Sequence, residues 1–234
     1  LIKGKPMVQW VFEQASKAKS ISEVIVATDD NRILEAVNGF GGNAVMTSAD
    51  HESGTDRIAE VVRDRECEVV VNVQGDEPLI APENIDRVVR PLLENAIEST
   101  VTLRILIKSC EELMDRNVTK VVVDNSNSAL YFSKAPIPWD RDKWGGDSIE
   151  YSSFDPLKSF WYKHIGLYAY RKKFLMGFGS LPDSGLEKIE KLEQLRILEG
   201  GFKIKVVETN IDSIGVDCEA DLAIIEKHLA AVLP

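Results

Sequence analysis

Three polar side chains follow an apolar run and could form a ligand site. Gln74, Asp76 and Glu77 come directly after residues 69–73, which are apolar apart from one asparagine. Such a run is typical of a strand buried on both faces in an α/β protein, where ligands bind at the carboxyl ends of the strands. The pattern therefore predicts a binding edge here. An alternative is a simple strand-to-helix turn, in which Asp76 or Glu77 caps a helix that begins near Pro82.

A second candidate is the stretch Ser-Gly-Thr-Asp-Arg at 53–57, which precedes a helical pattern of apolar residues. Ser53 is a good N-cap, so a capped helix start explains the stretch by itself. The free N–H groups of a helix start also suit an anion, and Arg57 in the first turn can add a bidentate contact. The two interpretations are compatible.

Polar residues also lie on one face of a predicted strand at 162–170. His164, Gly166 and Tyr168 alternate with apolar Ile165 and Leu167. A solvated face of an antiparallel strand would give this pattern. Aligned polar rings also suit the recognition of hydroxyl groups.

A carboxylate stands out in a helix predicted over 185–196. Helical spacing places Glu193 on the apolar face formed by Leu186, Ile189 and Ile197. A carboxylate on a core-facing stripe is costly unless it is paired or faces a polar pocket. Glu193 is therefore a candidate site residue, and a structural ion pair is the alternative.

Alternating helices and strands must position these residues. Apolar spacing predicts helices that begin near residues 7, 31, 58, 82 and 219, and strands at 24–28, 44–47, 69–73 and 100–107. This βαβ alternation predicts the α/β class, with a Rossmann-like, mostly parallel sheet covered by helices. Apolar runs at 118–123 and 129–133 predict a β-hairpin, which marks an appended, partly antiparallel subdomain at about 117–170 within a single domain.

Two loops and the last helix complete the prediction. Proline-rich residues 134–141 predict a fixed extended loop, and polar residues 145–160 predict a mobile insertion. Asp217 precedes the last helix and is well placed to be its N-cap.

Composition narrows the classes of function. The 234 residues include 28 Lys and Arg against 38 Asp and Glu, a net charge of -10, which argues against general binding of nucleic acids or membrane surfaces. Three widely spaced cysteines form neither a disulfide framework nor a metal motif, which favours a reducing cytoplasm. No apolar run reaches the roughly 18 residues of a membrane span.

The motif Val-Asn-Val-Gln-Gly-Asp-Glu-Pro at 71–78 closely resembles one of the sugar nucleotidyltransferases that make CMP-activated acid sugars, above all the 3-deoxy-manno-octulosonate (Kdo) cytidylyltransferases, or CMP-Kdo synthetase family. The resemblance continues through residues 53–57, 164–170, 192–196 and 216–222. It implies a nucleotidyltransferase fold of the GT-A type. It also implies a strand and a nucleotide-binding loop before residue 1.

The resemblance further implies roles for single residues. Asp76 and Asp217 would hold Mg²⁺, and both are the predicted catalytic carboxylates. The implied nucleotide contacts are Ser53, Gly54, Arg57 and Gln74. The implied sugar contacts are His164, Tyr168, Glu193 and Gln194, and Arg141 could pair with the sugar carboxylate.

The implied activity is the reaction of CTP with Kdo to give CMP-Kdo and diphosphate in lipopolysaccharide biosynthesis, by a cytoplasmic homodimer. Two alternatives remain at this stage. One is a cytidylyltransferase for sialic acid or an amino-Kdo analogue. The other is a non-catalytic nucleotide-binding module that keeps the fold.

Overall fold

The computed structural model describes residues 1–51, 53–141, 144, 160–216 and 219–232. Its helices are α1 (Met7–Ala15), α2 (Asn31–Gly39), α3 (Gly54–Val62), α4 (Pro82–Glu94), α5 (Cys110–Met114), α6 (Lys172–Gly177), α7 (Gly185–Glu190), α8 (Gln194–Glu199) and α9 (Glu219–Val232). Its strands are β1 (Val26–Thr28), β2 (Ala44–Met46), β3 (Val69–Asn72), β4 (Thr100–Leu106), β5 (Lys120–Val123), β6 (Ala129–Ser133), β7 (Tyr162–Arg171) and β8 (Lys205–Glu208).

Six strands form one mixed sheet in the order β6-β5-β7-β4-β8, and β3 pairs with β7. The pairings show that β3, β4, β5 and β8 run in one direction, while β6 and β7 run in the other. The predicted α/β class is confirmed. Because β7 lies inside the sheet, most hydrogen-bonded pairs are antiparallel although most strands share one direction.

Helices cover both faces of this sheet. On one face α1 and α4 pack on β4 and on the alternate residues Ile165, Leu167 and Ala169 of β7. On the other face α3, α6 and α8 pack on Tyr168 and Tyr170. Both faces of β7 are therefore covered at residues 167–170, so Tyr168 and Tyr170 lie within the protein.

The parallel pair β1–β2 forms a separate sheet. A cavity of about 390 Å³ lies between β1 and β3 and is lined mainly by apolar side chains of these strands and of α1 and α3. The strand implied before residue 1 stays a prediction. Among the residues that the structure describes, no helix combines the length and the apolar character needed to cross a membrane.

The predicted hairpin is confirmed as β5 and β6, and a buried lysine fixes its base. Lys120 is fully buried, and its Nζ donates to the backbone carbonyls of Asp115, Val118 and Lys134 at 2.6–2.8 Å. These bonds satisfy the ammonium group and connect the hairpin to the loop that starts at residue 134. Whether residues 117–170 form a sugar-binding and dimerisation subdomain stays a prediction.

The single helix predicted over 185–196 is wrong, because two short helices replace it. Lys191 adopts a left-handed conformation, with φ of 57°, and ends α7. Ile189 is 81% exposed, so it belongs to no apolar face, and Glu193 becomes the residue that precedes α8. The predicted insertion at 145–160 lies outside the described residues except for Phe160.

Candidate functional site

The polar turn after β3 lies at the edge that the sequence predicts. Gln74 is exposed, while Asp76 and Glu77 are partly buried. The capping alternative is wrong, because the residue before α4 is Ala81 and no side chain caps this helix. Glu77 accepts a hydrogen bond from Ser213 Oγ at 2.7 Å, and its burial raises the pKa of its carboxyl group. Asp76 and Glu77 therefore provide two carboxylates that do not cap α4.

A second segment meets this turn. The Asn84 side chain donates to the carbonyl of Ile211 and accepts from Thr209 Oγ1, which fixes the chain after β8 against α4. The backbone N–H of Val216 then donates to the carbonyl oxygen of Asp76 at 2.9 Å. Val216 immediately precedes Asp217 in the sequence. Asp217 itself lies outside the described residues, so its pairing with Asp76 stays a prediction.

The donor chemistry of this edge suits a hard divalent cation. Carboxylate oxygens are the ligands that Mg²⁺ prefers, usually one or two together with substrate phosphates and waters. Asp76 is partly exposed and can offer its carboxylate to such an ion. The described residues contain no group of three or more His, Cys, Asp or Glu side chains that could hold a metal. These residues therefore fit a metal site in which the protein provides few ligands and substrate phosphates and waters provide the rest.

The helix start at α3 is capped as predicted. Ser53 Oγ accepts from the backbone N–H of Asp56 at 3.1 Å and lies 2.9 Å from its carboxylate. Gly54 is exposed, and a methyl group added to it would meet no atom within 4 Å. The first turn of α3 is therefore open to an approaching ligand. The nucleotide role of Ser53 and Gly54 stays a prediction.

Arg57 connects α3 to the ends of β1 and β2. Its guanidinium donates to Thr47 Oγ1 at 2.6 Å, to the carbonyl of Ser48 at 3.2 Å and to the carboxylate of Asp29 at 2.9 Å. These contacts hold the three elements together. His51, which the sequence analysis did not assign to the site, contacts the carboxylate of Glu60.

A buried group of polar side chains lies across the sheet from α4. Thr55 Oγ1 in α3 donates to Glu193 Oε2 at 2.7 Å, and Thr55 is fully buried. Five buried side-chain atoms of the described residues have no hydrogen bond of good geometry. Three of them lie here, Glu193 Oε1, Gln194 Nε2 and the Tyr168 hydroxyl, and the other two are Thr100 Oγ1 and Arg104 Nε on β4. Burial, with a contribution from the charge of Glu193, raises the pKa of both Tyr168 and Tyr170. We call Tyr168, Glu193 and Gln194 the unpaired cluster.

The unpaired cluster needs an explanation because an unsatisfied buried polar group costs about 1–3 kcal/mol. The alternative of an ion pair does not hold among the described residues, because the hydrogen-bond partner of the Glu193 carboxylate is the neutral Thr55 hydroxyl. The three atoms comprise an acceptor, a donor and a hydroxyl that can do both. A ligand with several hydroxyl groups can satisfy all three.

His164 stands beside this cluster. Its ring lies 5.4 Å from that of Tyr168 and 5.0 Å from that of Phe132, and its Nε2 is 3.0 Å from Thr102 Oγ1. Burial lowers the pKa of His164 to about 3, so the ring is neutral at neutral pH. The alternative interpretation, a solvated face, is wrong at Tyr168, because this residue is only 7% exposed.

The two candidate regions are adjacent because of strand register. Asn72 at the end of β3 is opposite Tyr168 of β7. A methyl group added to Gly166 would lie 3.8 Å from Glu77 Oε1. The polar turn and the start of β7 therefore share one edge of the sheet. Arg141 is exposed near the end of the described loop, and its predicted role is not tested by any contact.

Sequence reasoning did not single out Thr55 or Thr102. Thr55 lies within the Ser-Gly-Thr-Asp-Arg stretch, so its neighbours were a usable signal. Thr102 carries no local signal, because a threonine inside a strand is ordinary.

Comparison with solved structures defines the class of this protein. Over 100% of this chain and 91% of the other, it matches the structure of a CMP:2-keto-3-deoxy-manno-octonic acid synthetase complexed with CTP, with a TM-score of 0.88 and 38% identity. A 4-diphosphocytidyl-2C-methyl-D-erythritol synthase from Anaerococcus prevotii, with a TM-score of 0.61 and 15% identity, shares the fold alone. The fold is that of a nucleotidyltransferase.

The family follows from the sequence. The family model described as cytidylyltransferase matches residues 1–204, so the chain belongs to the cytidylyltransferase family and is an enzyme. Two relatives are both named 3-deoxy-manno-octulosonate cytidylyltransferase. The protein of Geobacter sulfurreducens is 52% identical over 97% of this chain and 90% of its own length. That of Thermodesulfovibrio yellowstonii is 48% identical over 97% and 89%.

The low pKa of His164 predicts how stability depends on pH. Between its ordinary value of 6.5 and its folded value of about 3, the unfolded chain binds a proton that the folded protein does not. Stability should therefore fall as the pH falls, by up to about 1.4 kcal/mol for each pH unit from this residue. We expect His164→Asn to remove that part of the slope in urea unfolding measured from about pH 7 to pH 5.

His228→Asn is the matched control, because His228 is exposed on α9. It should leave the slope of the wild type unchanged. Equal slopes for His164→Asn and the wild type would contradict the buried neutral ring.

Proposed function

We propose that this chain transfers the cytidylyl group of CTP to 3-deoxy-manno-octulosonate, giving CMP-Kdo and diphosphate, in lipopolysaccharide biosynthesis. The observation that carries the proposal is the unpaired cluster of Tyr168, Glu193 and Gln194 at the edge that bears Asp76. The names of the relatives at 48–52% identity support this sugar.

The cluster suits a polyhydroxy acid. Glu193 Oε1 can accept from one sugar hydroxyl, and Gln194 Nε2 can donate to another. The Tyr168 hydroxyl can do either. Each bond formed removes the cost of a buried unpaired group, so the sugar gains affinity that water-exposed groups would not provide. The guanidinium of Arg141 is the proposed partner of the sugar carboxylate.

The nucleotide would lie beside the sugar at the same edge. The proposed contacts are the open amino-terminal turn of α3, formed by Ser53 and Gly54, with Gln74 and Arg57. N–H groups and the helix dipole favour a polyanion at that turn. Arg57 is already held by Asp29 and Thr47, which fixes it between the strand ends.

In the proposed reaction the anomeric hydroxyl of the sugar attacks the α-phosphorus of CTP. The new O–P bond forms as the bond to the β-phosphate oxygen breaks, and diphosphate leaves. The protein holds the two substrates in line, which supplies most of the rate. Asp76 and Asp217 are the proposed ligands of Mg²⁺, which would neutralise phosphate charge and lower the pKa of the attacking hydroxyl.

We further propose a homodimer that forms through residues 117–170. Leu130 on β6 supports this surface, since it is 61% exposed and β6 is the last strand of the sheet. A cytoplasmic location is also proposed, because the thiols of Cys67 and Cys110 are free, as is usual in a reducing compartment.

A panel of acid sugars tests the substrate. With CTP and Mg²⁺, the full-length protein should release diphosphate from Kdo more than about tenfold faster than from sialic acid. An amino-Kdo analogue is the third member of the panel. A preference for either alternative sugar would replace the proposed substrate, and no release with any of them would support a non-catalytic module.

Glu193→Gln tests the unpaired cluster. The amide can still accept from Thr55 but loses the charge, so the KM for the sugar should rise about tenfold to a hundredfold while the KM for CTP is kept. The exposed Glu35→Gln on α2 is the control. A much lower melting temperature with unchanged sugar kinetics would instead assign Glu193 a structural role.

Asp76→Asn and Asp217→Asn test the proposed metal ligands. Each change removes a charged ligand at the transferring phosphate, so kcat should fall about a hundredfold or more while stability is nearly kept. Because both would serve one ion, the double variant should be far less than multiplicatively worse. The exposed Asp64→Asn is the control.

A loss of stability with little kinetic effect would contradict the metal role of either residue. For Asp217, that pattern would favour the N-cap of the last helix, which is worth about 1 kcal/mol.

A further inference from the structure

The β4–β7 ladder contains an irregularity beside His164. Thr102 is opposite Tyr168, but the next residue of β4, Leu103, is opposite Ile165. Two residues of β7, Gly166 and Leu167, are therefore left without a partner on β4. Such a bulge leaves backbone groups that the ladder does not satisfy.

The side chain of Thr102 closes this gap. Thr102 is fully buried, and its Oγ1 lies 2.9 Å from the carbonyl oxygen of Leu167 and 3.2 Å from that of Ile165. Carbonyl oxygens only accept hydrogen bonds, and a threonine hydroxyl has one hydrogen. That hydrogen must therefore point to a carbonyl, since otherwise the lone pairs of Oγ1 would face two carbonyl oxygens.

This assignment determines the role of Thr102 toward His164. With its hydrogen used in the bulge, Oγ1 presents only lone pairs to His164 Nε2, which is 3.0 Å away. Nε2 must then carry the proton of the neutral imidazole, and Nδ1 must be the unprotonated nitrogen. Nδ1 forms no hydrogen bond with the described residues, and His164 as a whole residue is half-buried.

We propose that Thr102 is a positioning residue that holds His164 as the Nε2–H tautomer, so that Nδ1 accepts a hydrogen bond from a hydroxyl of the sugar substrate. The sugar part of this inference rests on the proposed function. Thr102 contacts the carbonyls of the bulge and Nε2 of the imidazole. It would therefore affect sugar binding only through the orientation and tautomer of the His164 ring. The Thr102 hydroxyl thus links the bulge in the β4–β7 ladder to the ring nitrogen that His164 presents to the sugar.

The tautomer gives a direct readout that needs no substrate. Long-range ¹H–¹⁵N correlation spectra of the histidine-labelled protein at neutral pH distinguish a protonated from an unprotonated ring nitrogen. The His164 signals are identified by their loss in His164→Asn. We expect Nε2 to be protonated in the wild type and in Thr102→Ser, and we expect a mixture of tautomers in Thr102→Val.

The kinetics should follow the spectra. Thr102→Val should raise the KM for Kdo about tenfold, the effect of one hydrogen bond, while Thr102→Ser and the KM for CTP change little. Thr102→Val also removes the donor of the bulge and can fail to fold. Two variants of the ring itself therefore provide a second test.

The amide of asparagine falls near the position of Nδ1 in histidine, and that of glutamine near Nε2. His164→Asn keeps an acceptor toward the sugar, whereas His164→Gln keeps only the contact with Thr102. We therefore expect the KM for Kdo to increase in the order wild type, His164→Asn, His164→Gln.

Protonation of Nδ1 in the wild type, or the reverse order of the two His164 variants, would overturn the inference. So would a Thr102→Val protein with the same tautomer and the same KM for Kdo as the wild type. If the wild type turns over no Kdo, the proposed function fails, and the spectra alone then decide the tautomer assignment.

Discussion

The position of β7 is the constraint on which the rest of the site depends. This ten-residue strand runs antiparallel to β3 and to β4. Because Tyr168 is opposite Asn72, the first half of β7 extends past the end of β3, beside the turn that carries Asp76 and Glu77. Because β7 runs antiparallel to β3, side chains from the middle of β7 lie at the carboxyl end of β3. A parallel strand would instead place the side chains of its last residues there.

The buried polar groups around β7 are of two kinds: some have all their hydrogen-bond partners within the chain, and others do not. Lys120 is buried with three carbonyl partners and holds the hairpin, so its polar atoms are satisfied within the chain. Tyr168, Glu193 and Gln194 keep polar atoms that the chain leaves unpaired. Each such atom lowers stability by about 1–3 kcal/mol, which is a sizeable part of the 5–15 kcal/mol that a typical protein has. A ligand that pairs them stabilises the folded state and gains specificity from the same bonds.

Two hydroxyl groups connect the parts of this edge. Thr55 joins the first turn of α3 to Glu193, which precedes α8, so the proposed nucleotide helix and the proposed sugar carboxylate are directly connected. Thr102 joins the bulge of β7 to His164 in a similar way. In both cases a buried threonine fixes the orientation of a larger polar side chain, which is how a site gains precision from groups that need not touch the substrate.

The sequence by itself determined the α/β class, the hairpin, the capped start of α3 and the polar turn after β3. These depend on local signals, namely apolar runs, N-cap chemistry and turn residues, which act over a few neighbouring positions. The motifs also indicated the cytidylyltransferase family. The sequence misjudged the helix around Glu193, because helical periodicity was extended through Lys191, where the chain breaks into two helices. Only the tertiary structure showed that Glu193 contacts Thr55, 138 positions away, and that Thr102 faces His164 across a bulge. Such contacts depend on strand register and packing between distant segments, which leave no periodic trace in either segment.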